Sequence, residues 1–205
     1  GDDDASVAFA ARLMERGVQV RVIDKATQLG EETVVRGSVV VTITDNVNNA
    51  NLVALINETA LETSLSIQNI KTGYGSGDTP EWGGDHFKLL TQPQIGLISQ
   101  AGTSSNDVGV TWWSLDTHLG IRHSQLDSSA MARTDLRRYN VLIMPSAWSV
   151  SDATADALKD WVEQGGTLIT HENSTQSIAS KDFSKVKSLD DNLTNAEKYK
   201  KALQP

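Results

Sequence analysis

The sequence predicts an α/β protein built on an open parallel sheet with helices on both faces. The first observation is a strand–helix–strand unit over residues 139–171, in which an apolar run ends at Pro145 and an amphipathic helix ends at Gly165. The second is its repetition, because residues 94–126 contain another strand, helix and strand joined by short links. Right-handed crossovers between such units put helices on both faces of one parallel sheet.

The helix of the unit over 139–171 has clear start and stop signals. Ser151 can cap its first turn, Asp152 adds a negative charge there, and Gly165-Gly166 ends it. Five apolar residues are expected on its buried face: Ala153, Ala157, Leu158, Trp161 and Val162. In the repeat, the predicted elements are a strand over Gln94–Ser99, a helix from about Asn106 to Leu119 and a strand over Arg122–Leu126.

Residues 1–70 predict a smaller α/β segment. Asp45 or Asn46 is the expected cap of its second helix. The first helix is expected to bury Val7, Ala10, Ala11 and Met14. The predicted elements in order are a helix over residues 4–16, strands over 18–23 and 37–44, a helix over roughly 47–60 and a strand over 65–70.

Glycine-rich sequence divides the chain further. Residues 71–92 contain five glycines and one proline, which predicts a linker between the small segment and an α/β domain over 93–180. Residues 181–205 are rich in lysine and predict a polar tail with one helix near 195–202. The abrupt start at Gly1-Asp-Asp-Asp leads us to expect a piece excised from a longer protein.

The composition excludes several classes of function. A net charge of −8 argues against nucleic-acid binding through a basic surface. The absence of cysteine removes disulfides, thiolate metal ligands and a cysteine nucleophile. No apolar stretch is long enough to predict a membrane span. No cofactor is predicted in this chain, since its four histidines lack the spacing of zinc ligands: His86, His118, His123 and His171.

The candidate ligand-binding residues lie where the strands of the predicted parallel sheet end, which is where such sheets bind ligands. Turns over residues 99–106 and 145–148 offer hydroxyl groups and backbone N–H groups that suit an anion, such as the phosphate of FMN. The preferred interpretation is nevertheless a capped turn without a ligand. The candidate residues are Gly102, Thr103, Ser104, Ser105 and Ser146.

A third turn, over residues 171–176, lies where a nucleophile elbow would be found in a hydrolase or amidotransferase. The small-residue frame of that motif is missing. Ser174 could act as a nucleophile with His171 as its base, beside Glu172, but no orienting acid can be placed. Polar residues at a strand end explain the segment more simply, so we predict no catalytic residue in this chain.

Residues 139–145 and 157–169 together resemble the class I glutamine-amidotransferase-like domain, which has a flavodoxin-like fold. With residues 37–41 and 82–93, they look like the version attached to bacterial zinc-carboxypeptidase-like proteins. This resemblance implies that zinc and a catalytic glutamate belong to an upstream peptidase domain of the same protein. It also implies a periplasmic or extracellular location. The amidotransferase cysteine would fall near residues 172–174, where this chain has none.

The expected function is therefore that of a non-catalytic accessory domain of a zinc carboxypeptidase, which packs against the peptidase domain or shapes substrate access. Two alternatives stay open. One is a flavodoxin-like module that binds FMN or another small ligand at residues 102–106. The other is a serine-dependent hydrolase that uses Ser174. The oligomeric state and the substrate of the parent are not predicted.

Overall fold

A computed structural model describes residues 3–181 of the chain, together with residues 185 and 203. The predicted tail, 181–205, and its helix near 195–202 therefore lie almost wholly outside the described residues. The chain is mixed α/β and divides into two compact units, of which one comprises Gly1–Pro93 and Leu115–Ile121. The other comprises Gln94–Ser114 and Arg122–Pro205. None of the described helices is long and apolar enough to cross a membrane.

The described residues of the first unit form two α-helices and two small antiparallel sheets. Strand order in the larger sheet is β4-β1-β5, and β2 and β3 form a hairpin. The elements are α1 (Asp4–Glu15), β1 (Arg21–Ile23), β2 (Thr27–Leu29), β3 (Glu32–Val34), β4 (Val39–Val40), α2 (Leu52–Glu62) and β5 (Phe87–Leu89).

Helix α1 is confirmed, but its buried face differs from the predicted one. Phe9 and Leu13 are buried, whereas Val7 is 47% exposed and Met14 lies at the edge of the core. Ala10 and Ala11 are buried, as predicted. The helix therefore turns its larger apolar side chains inward, which removes more apolar surface from water.

The predicted cap of the second helix is wrong. Helix α2 begins at Leu52, and Asn46 instead accepts a hydrogen bond from the backbone N–H of Gln19 at 2.7 Å and donates to its carbonyl at 3.0 Å. Asp45 forms an ion pair with Arg21 at 2.7 Å. The predicted strand over 37–44 is also too long, since β4 covers only Val39–Val40 and a 3-10 turn follows over Thr44–Asn46.

Two further segments depart from the predicted pattern. Residues 65–70 form no strand, because nothing described pairs with them. Within the predicted linker over 71–92, β5 pairs with β1, and Gly75 bridges to Leu29. The predicted domain boundaries stay predictions.

The described part of the second unit is built on a four-strand parallel sheet in the order β7-β6-β8-β9. Helices flank this sheet, which confirms the predicted α/β class. Its elements are β6 (Ile95–Ser99), α3 (Ser105–Trp113), β7 (His123–Asp127), β8 (Val141–Met144), α4 (Asp152–Glu163), β9 (Thr167–Thr170) and α5 (Asn173–Ala179). Along the chain α3 is followed by a π-helix over Ser114–Leu119, which lies in the first unit from Leu115 onward. In the second unit, 3-10 turns over Ser128–Arg133 and Leu136–Arg138 precede β8.

Helix α4 confirms the predicted signals at both ends. The Ser151 hydroxyl accepts a hydrogen bond from the backbone N–H of Thr154 at 3.2 Å. Gly165, at φ +101°, ends the helix in a conformation that few other residues adopt. The predicted buried face is wrong at one position, since Ala153 is exposed and Ala155 is buried instead.

One face of the parallel sheet carries the core of the second unit. Leu142 and Met144 of β8 point to this face and pack with Leu158 and Trp161 of α4. Met131, from the turn before β8, is fully buried in the same cluster. The strongest β–α–β signal of the sequence thus corresponds to the best-packed part of this unit.

The opposite face of the sheet becomes progressively more exposed towards β9. Leu97, Ile143 and Ile169 are paired across β6, β8 and β9, so their side chains share this face. Leu97 is fully buried, Ile143 is half-buried and Ile169 is 45% exposed. We call the outer part of this face, formed by Val141, Ile143, Thr167 and Ile169, the open sheet face.

Helix α3 buries less than predicted. Its expected inward face comprised Val108, Trp112, Leu115 and Leu119, yet no residue of α3 itself is fully buried. Trp112 is exposed, and only Leu115, in the π-helical continuation, is buried.

Candidate functional site

Two of the three predicted turns meet at the carboxyl edge of the parallel sheet. Thr103 forms a β-bridge with Ala147. The backbone N–H of Ser104 donates to the carbonyl of Ser146 at 2.8 Å, and that of Trp148 donates to Gly102 at 2.9 Å. The structure therefore brings four of the candidate ligand-binding residues together, but it does so through backbone pairing that fills the space between the turns.

Two hydroxyl groups of the first turn are also engaged in hydrogen bonds. Thr103 donates from its hydroxyl to the carbonyl of Gln100 at 2.7 Å. The Ser104 hydroxyl caps α3 by accepting from the backbone N–H of Asp107 at 3.4 Å. Ser146 is buried, whereas Ser105 is exposed. These contacts describe a capped turn, and the proposed anion contact of these residues stays a prediction.

Ser174 lies at the third turn, at the beginning of α5, and is fully buried. Its hydroxyl lies 2.9 Å from the carbonyl oxygen of Met144 and 2.7 Å from that of His171, and it can donate its single proton to either. Among the described residues, no hydrogen bond joins the Ser174 hydroxyl to the ring of His171. The hydroxyl therefore links α5 to the ends of β8 and β9.

Glu172 connects β9 to α5 in a strained conformation. Its backbone has φ 54° and ψ −129°, a region that is populated almost entirely by glycine. Gln100, after β6, also has a positive φ of 71°. Both strained residues lie at the carboxyl edge of the parallel sheet. The sequence could not predict them, because neither residue type signals a positive φ.

Several carboxyl groups in the second unit have lowered pKa values. Hydrogen bonds from the side chain and backbone of Ser129 lower the pKa of Asp127, which ends β7 at the same edge. The Arg137 guanidinium lowers the pKa of Asp135, and Lys181 lowers that of Asp152. Each carboxylate is thereby held in its charged form. No group of three or more potential metal ligands is present in the described part of the chain.

A groove lies beside the turns over residues 145–148 and 171–176, and it was not predicted from the sequence. We call it the Trp148 groove; its volume is about 470 Å³, and its lining residues are Trp148, Asn173, Gln176, Ser177 and Ser180. The helical spacing of the last four residues was the one signal available in the sequence. It could not be used, because α5 itself was not predicted.

Residues 112–182 match the family model of the beta-galactosidase trimerisation domain. The matched residues of the 205-residue chain include β7, β8 and β9 of the parallel sheet, with α4 and α5. No curated protein and no solved structure matches the chain.

This match shows that the family predicted from the sequence is wrong. The resemblance to a glutamine-amidotransferase-like domain of a zinc carboxypeptidase is wrong. The expected role as a carboxypeptidase accessory domain and the expected upstream peptidase partner are therefore wrong as well. The residues that carried the resemblance form a strand, a helix, a glycine stop and a strand, which is a unit found in many unrelated α/β domains.

The match neither supports the two alternative functions nor tests the predicted zinc ion and location. The match gives no support to the FMN-binding and serine-hydrolase alternatives, since it names a domain of assembly. The parent zinc ion and the periplasmic or extracellular location rested on the resemblance alone, and both stay predictions.

Proposed function

We propose that this chain is a self-association domain of a β-galactosidase-like glycoside hydrolase and joins copies of that protein into a trimer. The observation that carries the proposal is the match of residues 112–182 to the beta-galactosidase trimerisation domain. The finer fold that we propose for the second unit is flavodoxin-like. Its strands occur in the order second, first, third, fourth along the chain, which is the start of the flavodoxin-like order 2-1-3-4-5.

The described carboxyl groups do not supply the acid that a glycosidase needs. Glycoside hydrolysis commonly uses two carboxyl groups, one of which acts as an acid with a raised pKa. Every described carboxyl group whose pKa departs clearly from its ordinary value departs downward. The glycosidase active site would accordingly belong to another part of the same protein.

The open sheet face is our proposed contact with a second copy. Val141, Ile143 and Ile169 lie within the matched residues and present apolar surface that the rest of the described chain leaves half-buried or exposed. Burial of such surface contributes roughly 25 cal/mol per Å². In a closed ring of three, this face would meet a different patch of the next copy, because cyclic trimers are built from heterologous interfaces.

Sedimentation equilibrium of the 205-residue chain tests the proposal. We expect a species with three times the 22.2 kDa mass of one chain. Ile169→Lys should raise the dissociation constant at least about tenfold, because a charge buried in an apolar contact is strongly unfavourable.

Val53→Lys is the matched control, since Val53 is an exposed aliphatic residue of α2 outside the matched residues. This variant should keep the trimer. A chain that stays monomeric across the micromolar range would contradict the proposed function. A trimer that Ile169→Lys does not weaken would contradict only the proposed contact face.

A further inference from the structure

The Trp148 groove presents a tryptophan side chain to solvent from a rigid position. The side chain is 69% exposed, although it directly follows the buried residues Pro145, Ser146 and Ala147. Its backbone N–H donates to the Gly102 carbonyl at 2.9 Å, and the preceding residue bridges to the neighbouring turn. An exposed indole on a fixed backbone is a ready stacking surface for a flat apolar group.

The other wall of the groove is one face of α5. Asn173, Gln176 and Ser177 lie three and four residues apart and so project from the same side of the helix, as does Ser180 just after it. The opposite side of α5 is anchored, because Ser174 and Ile178 are buried. Among the described residues, the side-chain amides of Asn173 and Gln176 have no hydrogen-bond partner. They are therefore free to donate to and accept from a ligand.

Among the described residues, none of those that line the groove carries a charge. Lys181, the nearest charged residue along the chain after Ser180, is paired with Asp152. A phosphate, carboxylate or ammonium ligand would find no opposite charge on these five lining residues, so they favour a neutral ligand rich in hydroxyl groups. A pyranose fits this description, since its ring has an apolar C–H face that can lie on an indole and hydroxyl groups that hydrogen-bond to amides.

Backbone strain at the groove is an independent observation. Glu172 directly precedes Asn173 and holds the glycine-like conformation at φ 54° and ψ −129°. Strain of this kind tends to occur at functional sites. Here it sets the direction in which α5 leaves the sheet, and with it the position of the amide groups that face Trp148.

We propose that the Trp148 groove is a binding site for a neutral saccharide. The indole of Trp148 stacks on the C–H face of a pyranose ring, and the amides of Asn173 and Gln176 hydrogen-bond to its hydroxyl groups. The volume of about 470 Å³ lies in the range of small-molecule sites. Because the groove offers only one stacking ring, a dissociation constant of roughly 1 mM is expected.

Titration of the full chain with lactose, cellobiose and galacturonate, followed by ligand-observed NMR, tests this site. Saturable binding of at least one neutral disaccharide is expected, with no binding of the anionic sugar. Trp148→Ala should weaken the binding about tenfold or more, since the stacking surface is lost. Gln176→Ala should weaken it roughly threefold to tenfold, since one hydrogen-bonding group is lost.

Trp112→Ala is the matched control, because Trp112 is another exposed tryptophan and lies on α3, outside the groove. Binding should be unchanged in this variant, and circular dichroism should show that all three variants keep the fold. The proposal is overturned if no neutral saccharide binds, if galacturonate binds as tightly, or if Trp148→Ala and Trp112→Ala behave alike. The oligomeric state is measured separately, so a failure here leaves the proposed self-association intact.

Discussion

Single polar residues were the hardest part of this chain to predict. Asn46 has the sequence position of a helix cap, yet its amide binds the backbone of Gln19, which is remote in sequence. A cap and a long-range contact need the same side-chain chemistry, so only the folded structure distinguishes them. Ser174 is a second example. Its hydroxyl is fully buried and lies within hydrogen-bond distance of two backbone carbonyl oxygens, which the sequence does not reveal.

The strain at Glu172 gives a prediction at the scale of one residue. Glu172→Gly should stabilise the protein by about 1 kcal/mol, because glycine adopts a positive φ without the side-chain clash and loses only part of that gain to backbone entropy. Urea unfolding measures the change. Asn173→Gly is the control: Asn173 is the first helical residue of α5, so glycine should destabilise there. Equal effects of the two changes would show that Glu172 is unstrained.

Elements with strong local signals were predicted well, and those that depend on distant partners were not. Helix α4 has its cap at Ser151 and its stop at Gly165, both of which the sequence displays. Strand β5 has only three residues and exists because it pairs with β1, more than sixty residues earlier in the chain. The hairpin of β2 and β3 was missed for a similar reason, since its strands are short and mostly polar.

The location of the candidate site was predictable, but its contents were not. Strands of a parallel sheet end at one edge, so the three turns were expected to lie there. The pairing of Thr103 with Ala147 and the α5 wall of the Trp148 groove depend on packing that no local pattern encodes.

The junction between α4 and β9 gives a prediction at the scale of an element. A Cβ atom added at Gly166 would lie 2.4 Å from the Trp161 ring, which is buried and donates to the Tyr139 carbonyl at 3.2 Å. Gly166→Ala should therefore destabilise the protein by roughly 1–3 kcal/mol, because the ring or the backbone must shift.

Gly109→Ala is the matched control for this steric effect. Gly109 lies inside α3, and a Cβ there would meet nothing within 4 Å. Alanine should stabilise the helix by about 0.5–1 kcal/mol. Thermal unfolding of the two variants should give melting temperatures that move in opposite directions, and a parallel change in both would refute the packing argument at Gly166.

The whole molecule is acidic, and its response to pH follows from the ion pairs. The Arg21 guanidinium, bound to Asp45 at 2.7 Å, lowers the pKa of that carboxyl group, and Arg16 does the same for Glu62. A lowered pKa adds stability that is fully present above the unfolded-state pKa of about 4. That stability is lost as the pH falls through the pKa of the folded state.

Asp45→Asn should thus reduce the free energy of unfolding by about 1 kcal/mol at pH 7 and by much less at pH 2. Urea unfolding at the two pH values measures the difference. Asp78→Asn is the control, because Asp78 is exposed and has no ion-pair partner among the described residues. A loss that is equal at both pH values would mean that the Arg21 contact contributes no pH-dependent stability.

The short length of strand β9 limits association of chains by strand addition. Among the described residues nothing pairs with the outer side of β9, and a long unpaired edge of this kind would favour open-ended polymerisation. Here the edge is only four residues long, begins after Gly165-Gly166 and ends before the bent backbone at Glu172. The proposed association through the open sheet face would then close into a finite ring, whereas four residues are too short an edge for a fibril to grow by strand addition.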